Sequence, residues 1–173
     1  MKKIMVTGVS AGAGKSTFAA ELGEKLGLPV HHLDSIYWKP GWIEAEPAEF
    51  RAAQEKVTAG ESWIIEGNYS DSFDIRFAKA DTFIYLELPL RVCLYRVLKR
   101  WLTNIGNTRP DMAEGCPEKM DLEFLKFIVT TYAARKVKMR ERMRKFQEVR
   151  PENQIIFLGN KKQINGFLKS IAH

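Results

Sequence analysis

The chain predicts a parallel α/β sheet covered by helices on both faces, and three observations carry that expectation. Short apolar runs at Ile4–Thr7, Val30–Leu33, Trp63–Ile65, Thr82–Leu88 and Ile155–Leu158 alternate with stretches of helical periodicity. The runs are nearly continuous rather than polar at every second position, as expected of strands buried on both faces. The first of them passes directly into Gly8-Val9-Ser10-Ala11-Gly12-Ala13-Gly14-Lys15-Ser16-Thr17, a glycine-rich turn that opens a helix.

That turn is the most informative stretch of the sequence. Gly12 and Gly14 permit the backbone to fold back and aim successive N–H groups at an anion. The helix starting at Lys15 brings its positive dipole end to the same point. In such a P-loop the backbone from Ser10 through Ala11, Gly12, Ala13 and Gly14 to Thr17 cradles the phosphates of a nucleoside triphosphate. Lys15 reaches the β- and γ-phosphates, and the Ser16 hydroxyl ligates Mg²⁺. The motif departs from G-x-x-x-x-G-K-[ST] at one position: Val9 stands where the first glycine belongs, and Gly8 lies one residue too early.

The remaining elements follow in order. The first helix runs to Gly27 with Phe18, Leu22 and Leu26 on one face, and Gly27 and Pro29 end it. A second strand, Val30–Leu33, ends at Asp34. Pro47 opens a helix to about Ala59, and Gly60 follows it. The third strand ends at Glu66; after the fourth, Pro89 opens a helix to about Leu102. Residues 104–119 have the Gly, Pro, Asn and Asp content of a mobile loop. Asp121 caps a long helix to about Val149, and a last strand precedes a terminal helix. With no linker, repeat or low-complexity segment in between, the 173 residues are expected to form one domain.

Composition narrows the class. A hydrophobic share of 45% excludes disorder. No apolar run approaches a membrane span, and no secretory h-region follows Met1. Cys93 and Cys116 are too few for a disulfide framework or a four-ligand zinc site, so a cytoplasmic location is expected. The net charge of +6 is concentrated between Arg91 and Arg150. Such a run fits a nucleic-acid face, a solvated helix or arginines gathered around a polyphosphate. No helix-turn-helix spacing accompanies it.

In parallel sheets chemistry gathers where strands end. Asp34 and Glu66 are carboxylates at two such ends beside the phosphate loop. Their residue type suits general-base work on a phosphoryl acceptor and organisation of Mg²⁺. Arg96 and Arg100, four apart, share a helix face that can clamp phosphates. Arg135 falls on the apolar stripe of Phe124, Ile128, Tyr132, Met139 and Met143. A guanidinium there needs an anion, either an internal acid or the transferred phosphate. Tyr37, Trp38 and Trp42 either line an acceptor pocket or pack a loop. His31 and His32 read as structural.

The segments His32-Leu33-Asp34, Tyr37-Trp38-Lys39-Pro40-Gly41-Trp42, Trp63 to Tyr69, Arg96 to Arg100 and Thr108 to Pro117 resemble the DNA topology modulation proteins. These are small P-loop proteins similar to adenylate and shikimate kinases. The resemblance covers about residues 1–160, and Arg109 to Pro117 is its most distinctive part. It implies the three-layer P-loop NTPase fold of nucleoside-monophosphate-kinase type, with a five-stranded parallel core, an acceptor-binding segment at 34–60 and a lid at about 104–120. Glu66-Gly67 looks like the acid-glycine pair that adenylate kinases place near Mg²⁺. Asn68-Tyr69-Ser70 departs from their nucleotide-contacting residues, and Arg76 is the cation that could replace the missing charge. Arg96 and Arg100 correspond to lid-base arginines, Arg135 to an arginine beyond the lid that meets the transferring phosphate, and Gly159-Asn160-Lys161 to the adenine contact. The expectation is an ATP- and Mg²⁺-dependent phosphotransferase acting on a small acceptor, with Lys15, Asp34, Arg96, Arg100 and Arg135 as catalytic residues. The alternative is a non-catalytic, nucleotide-dependent regulator that binds DNA.

Overall fold

The computed structural model describes residues 1–171. Five parallel strands, β1 (Lys3–Gly8), β2 (Val30–His32), β5 (Trp63–Glu66), β6 (Thr82–Leu86) and β7 (Gln154–Leu158), form one sheet in the order β2-β5-β1-β6-β7. Helix α1 (Lys15–Leu26), α3 (Pro47–Thr58), α4 (Phe73–Lys79), α5 (Leu90–Thr103), α6 (Leu122–Val149) and α7 (Lys161–Ser170) provide the connections. The apolar runs become strands because their side chains are sealed on both faces: Ile4, Met5, Val6, Phe83 and Ile84 have no solvent exposure. The order places β1, which leads into the phosphate loop, at the centre of the sheet, paired with β5 and β6.

The helices begin and end where their local chemistry dictates. Gly14 precedes α1 and Gly27 follows it, both left-handed (φ 88° and 64°), and Phe18, Ala19, Leu22 and Gly23 turn inward. Pro47 opens α3. The Asp121 carboxylate accepts the Phe124 N–H at 2.6 Å and caps α6, whose Ile128, Met139 and Phe146 reach the core.

Four features differ from expectation. The second strand stops at His32, and Leu33–Tyr37 forms a short helix, α2, which puts Asp34 in a first helical turn just past the sheet. The fourth strand closes at Leu86 rather than Leu88. Residues 38–44 form a hairpin of β3 (Trp38–Lys39) and β4 (Ile43–Glu44), turned by left-handed Gly41 and Trp42. A 3₁₀ turn at Ser70–Ser72 and α4 fill the stretch after Tyr69, for which the periodicity predicts no element. The 104–119 loop is tied to itself by bridges from Ile105 to Glu118 and from Thr108 to Pro117. No described helix is long and apolar enough to cross a membrane.

Candidate active site

The phosphate loop leaves β1 along ordinary backbone at Val9, which is fully buried and donates its N–H to the Leu86 carbonyl at 2.9 Å. The position of the missing glycine therefore needs no left-handed residue. The glycines that matter are Gly12 and Gly14, with φ of 76° and 88°. A Cβ on Gly12 would lie 2.2 Å from the Cys93 carbonyl oxygen, so the loop rests directly on the first turn of α5. Gly8 has its own use: a Cβ there would meet Lys15 Cγ at 2.9 Å. Its bare backbone leaves room for the lysine stem.

Around this loop lies a cavity of about 1230 Å³, into which Lys15, Asp34, Arg96, Arg100 and Arg135 all face. Ala11 to Thr17 line it, while Ser10 is buried beneath the turn. Arg96 crosses the loop, donating from Nη1 to the Ala13 carbonyl at 3.4 Å. Its Nη1 would lie 2.8 Å from a Cβ on Gly14, so that glycine also makes space for the guanidinium.

At the end of β5, the Glu66 carboxylate is 2% exposed. Its Oε1 accepts the Ser16 hydroxyl at 2.9 Å and lies 2.9 Å from His32 Nδ1. His32 sits there because parallel pairing puts it opposite Glu66 in the β2–β5 register. The Glu66 hydrogen bond raises the histidine's pKa against the opposing effect of burial, and the charges of Glu66, Asp111 and Asp34 add to the rise. A serine hydroxyl beside a buried carboxylate is an oxygen pair suited to a hard cation such as Mg²⁺. Among the described residues no cluster of three His, Cys, Asp or Glu could hold a metal alone, so such an ion would complete its shell with phosphate oxygens and water.

Asp34 accepts the Tyr69 hydroxyl on Oδ1 at 2.7 Å. Burial, reinforced by the Glu66 charge, lifts its pKa above the ordinary aspartate value; Lys15, the Tyr69 bond and Arg109 offset this only in part. Burial likewise pushes the Tyr69 phenol up, keeping it a donor.

The 104–119 loop also lines the cavity, through Arg109 to Met112, Glu118 and Lys119. Glu118 accepts Arg100 Nε at 2.8 Å on one oxygen and Arg109 Nε at 2.7 Å on the other, and Arg109 Nη1 donates to Asp111 at 2.7 Å. Burial opposes ionisation of Asp111, but the Arg109 charge, with a smaller contribution from His32, holds its pKa low. Arg96 and Arg100 thus share a helix face and a cavity yet have different partners: Arg96 lies on the phosphate loop and Arg100 is bound into the lid. The same loop is bonded to the β3–β4 hairpin. Gly41 N–H donates to the Gly115 carbonyl at 3.0 Å, Trp42 Nε1 to the Pro117 carbonyl at 3.1 Å, and the Cys116 thiol to the Lys39 carbonyl at 3.2 Å. Trp42 is held at φ 65°, a left-handed conformation that costs a non-glycine residue roughly 1–3 kcal/mol.

Arg135 is partly buried over the Phe127 ring at 4.5 Å, and burial lowers its pKa. No carboxylate among the described residues pairs with it. The other cations of α6 are largely engaged: Lys136 and Arg140 meet Glu87 at 3.1 and 2.7 Å, Lys145 meets Glu141 and Arg144 meets Glu148. Arg142 lies over the Phe73 ring at 3.8 Å. Arg76, the expected replacement cation, does not line the cavity but lies beneath it, its Nη2 donating to the carbonyls of Gly67 and Tyr69 at 3.4 and 3.5 Å. It is fully buried, donates to Gln54 Oε1 at 2.6 Å, and burial with the nearby Arg142 charge lowers its pKa to about 9.

Trp38, Trp42 and Tyr69 line the cavity, whereas Tyr37 packs edge-on against Trp38 and Phe50. Lys161 reaches the cavity while Asn160 caps α7. His31 stays outside. His32, Tyr69, Arg109, Asp111 and Glu118 are the site residues that sequence reasoning passed over as structural or left without a role. The signal available for His32 was its place at a strand end level with Glu66.

No family model and no curated protein matches the chain. Solved structures do. A shikimate kinase from Acinetobacter baumannii, in complex with shikimate, aligns over 99% of this chain and 90% of its own with TM-score 0.53 and 16% identity. A gluconokinase from Sinorhizobium meliloti 1021 aligns over 98% and 89% with TM-score 0.54 and 15% identity. A sugar kinase from Janibacter sp. HTCC2649 aligns over 100% and 99% with TM-score 0.52 and 15% identity. The likeness is one of fold, and it is the P-loop fold of nucleoside-monophosphate-kinase type.

Proposed function

We propose that the chain is an ATP-dependent small-molecule kinase working in this cavity. The reading rests on one juxtaposition: a phosphate loop carrying Lys15 and Arg96 faces, across the cavity, an Asp34 carboxylate oriented by Tyr69. The backbone from Ala11 to Thr17 receives the β- and γ-phosphates, with Ser10, expected in this cradle, buried beneath it, and Lys15, Arg96 and Arg135 spread the charge of the transferred group. Ser16 and Glu66 are the residues that would hold Mg²⁺, which when bound neutralises charge between the β- and γ-phosphates. The acceptor hydroxyl gives its proton to Asp34 while its oxygen bonds to the γ-phosphorus. The bond from that phosphorus to the bridging oxygen breaks, and ADP leaves with the electron pair. Arg100, Arg109 and Glu118 hold the lid over the reaction and exclude water.

The segments that resemble the DNA topology modulation proteins wall this same cavity, among them Asp34, Trp42, Tyr69 and Asp111. Membership of that group is part of the proposal. The DNA-binding alternative draws little support from α6, where Lys136, Arg140, Arg144 and Lys145 face carboxylates of the same chain.

Acceptor-stimulated ADP release tests the reading on the full chain. ADP should form in step with a phosphorylated acceptor, and Lys15→Ala should abolish both Mg·ATP binding and turnover. Unchanged ATP affinity in that variant would remove the phosphate-site assignment. Binding of duplex DNA with a steep salt dependence, without ADP formation, would favour the regulator.

A further inference from the structure

Arg76, on α4, is an expensive side chain to bury. It is fully enclosed, and no carboxylate among the described residues pairs with it. A guanidinium taken out of water without an ion pair destabilises a fold, and an apolar side chain of similar volume would fill the same space at less cost. What an apolar side chain could not do is donate. Arg76 Nε has no hydrogen-bond partner among the described residues, but the two amino groups meet three oxygens. Nη1 donates to Gln54 Oε1 at 2.6 Å, and Nη2 lies between the carbonyls of Gly67 and Tyr69. Gln54 is a fixed anchor: it is fully buried on α3, and its Nε2 donates to Ser72 Oγ at 2.8 Å and to the Phe50 carbonyl at 3.2 Å.

The two carbonyls belong to the turn that follows β5, and this turn reaches both halves of the site. Gly67 N–H donates to the Val6 carbonyl at 3.1 Å, and beyond it side chains take over from the strand ladder. Asn68 Oδ1 accepts the Gly8 N–H at 3.0 Å, at the entrance to the phosphate loop. A Cβ on Gly67 would lie 2.8 Å from Leu33 Cβ, so the turn rests on the residue before Asp34. The Tyr69 ring packs against Tyr37 and Phe50, with centroids 4.8 and 4.9 Å away, and its hydroxyl donates to Asp34 at 2.7 Å. Residues 67–69 therefore lie between the phosphate loop and Asp34, with Arg76 holding them from the core side.

We propose that Arg76 is a positioning residue for phosphotransfer: from beneath the cavity it holds the Gly67 and Tyr69 carbonyls, and so sets the Tyr69 hydroxyl on Asp34. The inference rests on the phosphotransfer reading above, in which Asp34 takes the acceptor's proton. Arg76 does not line the cavity, and it acts through Tyr69. Without the guanidinium the turn loses its hold on the core, and a base whose hydrogen-bond donor drifts out of line loses its orientation. The Asp34 carboxyl registers that drift. Burial and the Glu66 charge favour its protonated form, while Lys15, the Tyr69 bond and Arg109 favour the ionised one. A Tyr69 that no longer reaches Asp34 leaves it more readily protonated.

The test follows the Asp34 carboxyl directly in the full-length chain, by ¹³C NMR titration. Tyr69→Phe removes the bond outright, and Asp34 should titrate at higher pH than in the parent. Arg76→Met should move Asp34 in the same direction, and the double variant should move it little beyond Tyr69→Phe alone, because the arginine acts through the tyrosine. Arg76→Lys keeps the charge but not the planar fork that spans Gln54 and the two carbonyls. It should shift Asp34 as well, and it decides the matter if Arg76→Met does not fold. Calorimetry should give the same Mg·ATP affinity in every folded variant. With adenosine, glucose and shikimate offered as acceptors, kcat for any that reacts should fall about tenfold in the Arg76 variants, the scale of one lost hydrogen bond, with KM little altered. A folded Arg76 variant with a lower melting temperature and an unmoved Asp34 would make the arginine structural and overturn the inference. So would single-variant shifts that simply add in the double variant. Either result leaves the kinase reading standing, whereas absence of Mg·ATP binding by the parent chain would overturn that reading and this inference with it.

Discussion

Among single side chains, the Asp34 carboxyl depends most on what surrounds it. Its pKa is raised in the folded chain, chiefly by burial and then by Glu66. Its contribution to stability is therefore complete below the ordinary aspartate pKa and is lost as pH rises through the raised folded value. An asparagine in its place would carry no charge at any pH and could still accept the Tyr69 hydroxyl. Asp34→Asn should thus melt at or above the parent temperature at neutral pH, while turnover falls about a hundred- to ten-thousandfold, the usual range for a lost general base. Melting curves and single-turnover transfer check both halves; a lower melting point with activity retained would make Asp34 structural. In the parent, the acidic limb of the rate profile should sit above the ordinary carboxylate range. Arg135 makes a parallel case. With no carboxylate partner among the described residues and an apolar ring beneath it, Arg135→Met strands no acid. The variant should keep its melting temperature while turnover collapses. Loss of stability with activity intact would assign the arginine to packing.

At the scale of elements, the contact between the β3–β4 hairpin and the 104–119 loop has the clearest consequence. Two segments far apart in sequence, 38–44 and 115–119, meet through the Gly41, Trp42 and Cys116 bonds. Gly115 is the weak point of that contact. It sits at φ 75°, and a Cβ there would lie 3.1 Å from Pro40 Cβ. Gly115→Ala should cost about 1–2 kcal/mol through backbone strain and crowding. It should also raise KM for the acceptor and speed hydrogen exchange at the Gly41 amide, with little effect on Mg·ATP affinity. Unchanged exchange at Gly41 would separate the two segments. Helix α6 shows the same logic in its charges: its cations face Glu87, Glu141 and Glu148 on one side, while Arg135 and Lys138 face the cavity.

For the whole molecule, the strand order β2-β5-β1-β6-β7 sets the phosphate loop at the middle of the sheet, with Glu66 and Asp34 beyond its two neighbours on one side. Residues from the phosphate loop, the 104–119 loop and α6 line one cavity there, so a ligand bound in it is expected to stabilise the folded chain as a whole. At a hundred times its Kd, Mg·ATP should stabilise the chain by about 2.7 kcal/mol. For a chain of this length that is roughly 5–10 °C in Tm. Thermal melts with and without Mg·ATP measure the shift, and Lys15→Ala should erase it. A shift that survives the substitution would place nucleotide binding elsewhere.

The five strands of the main sheet, α1, α3, α5, α6, α7 and the phosphate loop were legible from the residues alone, because each follows from chemistry within a turn or two of the residue concerned. Apolar runs make buried strands, Gly14 and Gly27 bound α1, Asp121 caps α6, and Gly12-Ala13-Gly14-Lys15 shapes the nest whatever lies beyond it. Which side chains meet is a matter of long-range packing. His32 reaches Glu66 across 34 residues, Tyr69 reaches Asp34 across 35, and Ser16 reaches Glu66 across 50. These partners are set by strand register and by crossover connections, to which no local propensity is sensitive. Arg76 was legible as a cation but not as a buried one, since its direction depends on the Gln54 amide waiting in α3. Trp42 was least legible of all. Local sterics argue against a left-handed tryptophan, and it is the lid, packed on from a distant stretch of chain, that holds it there.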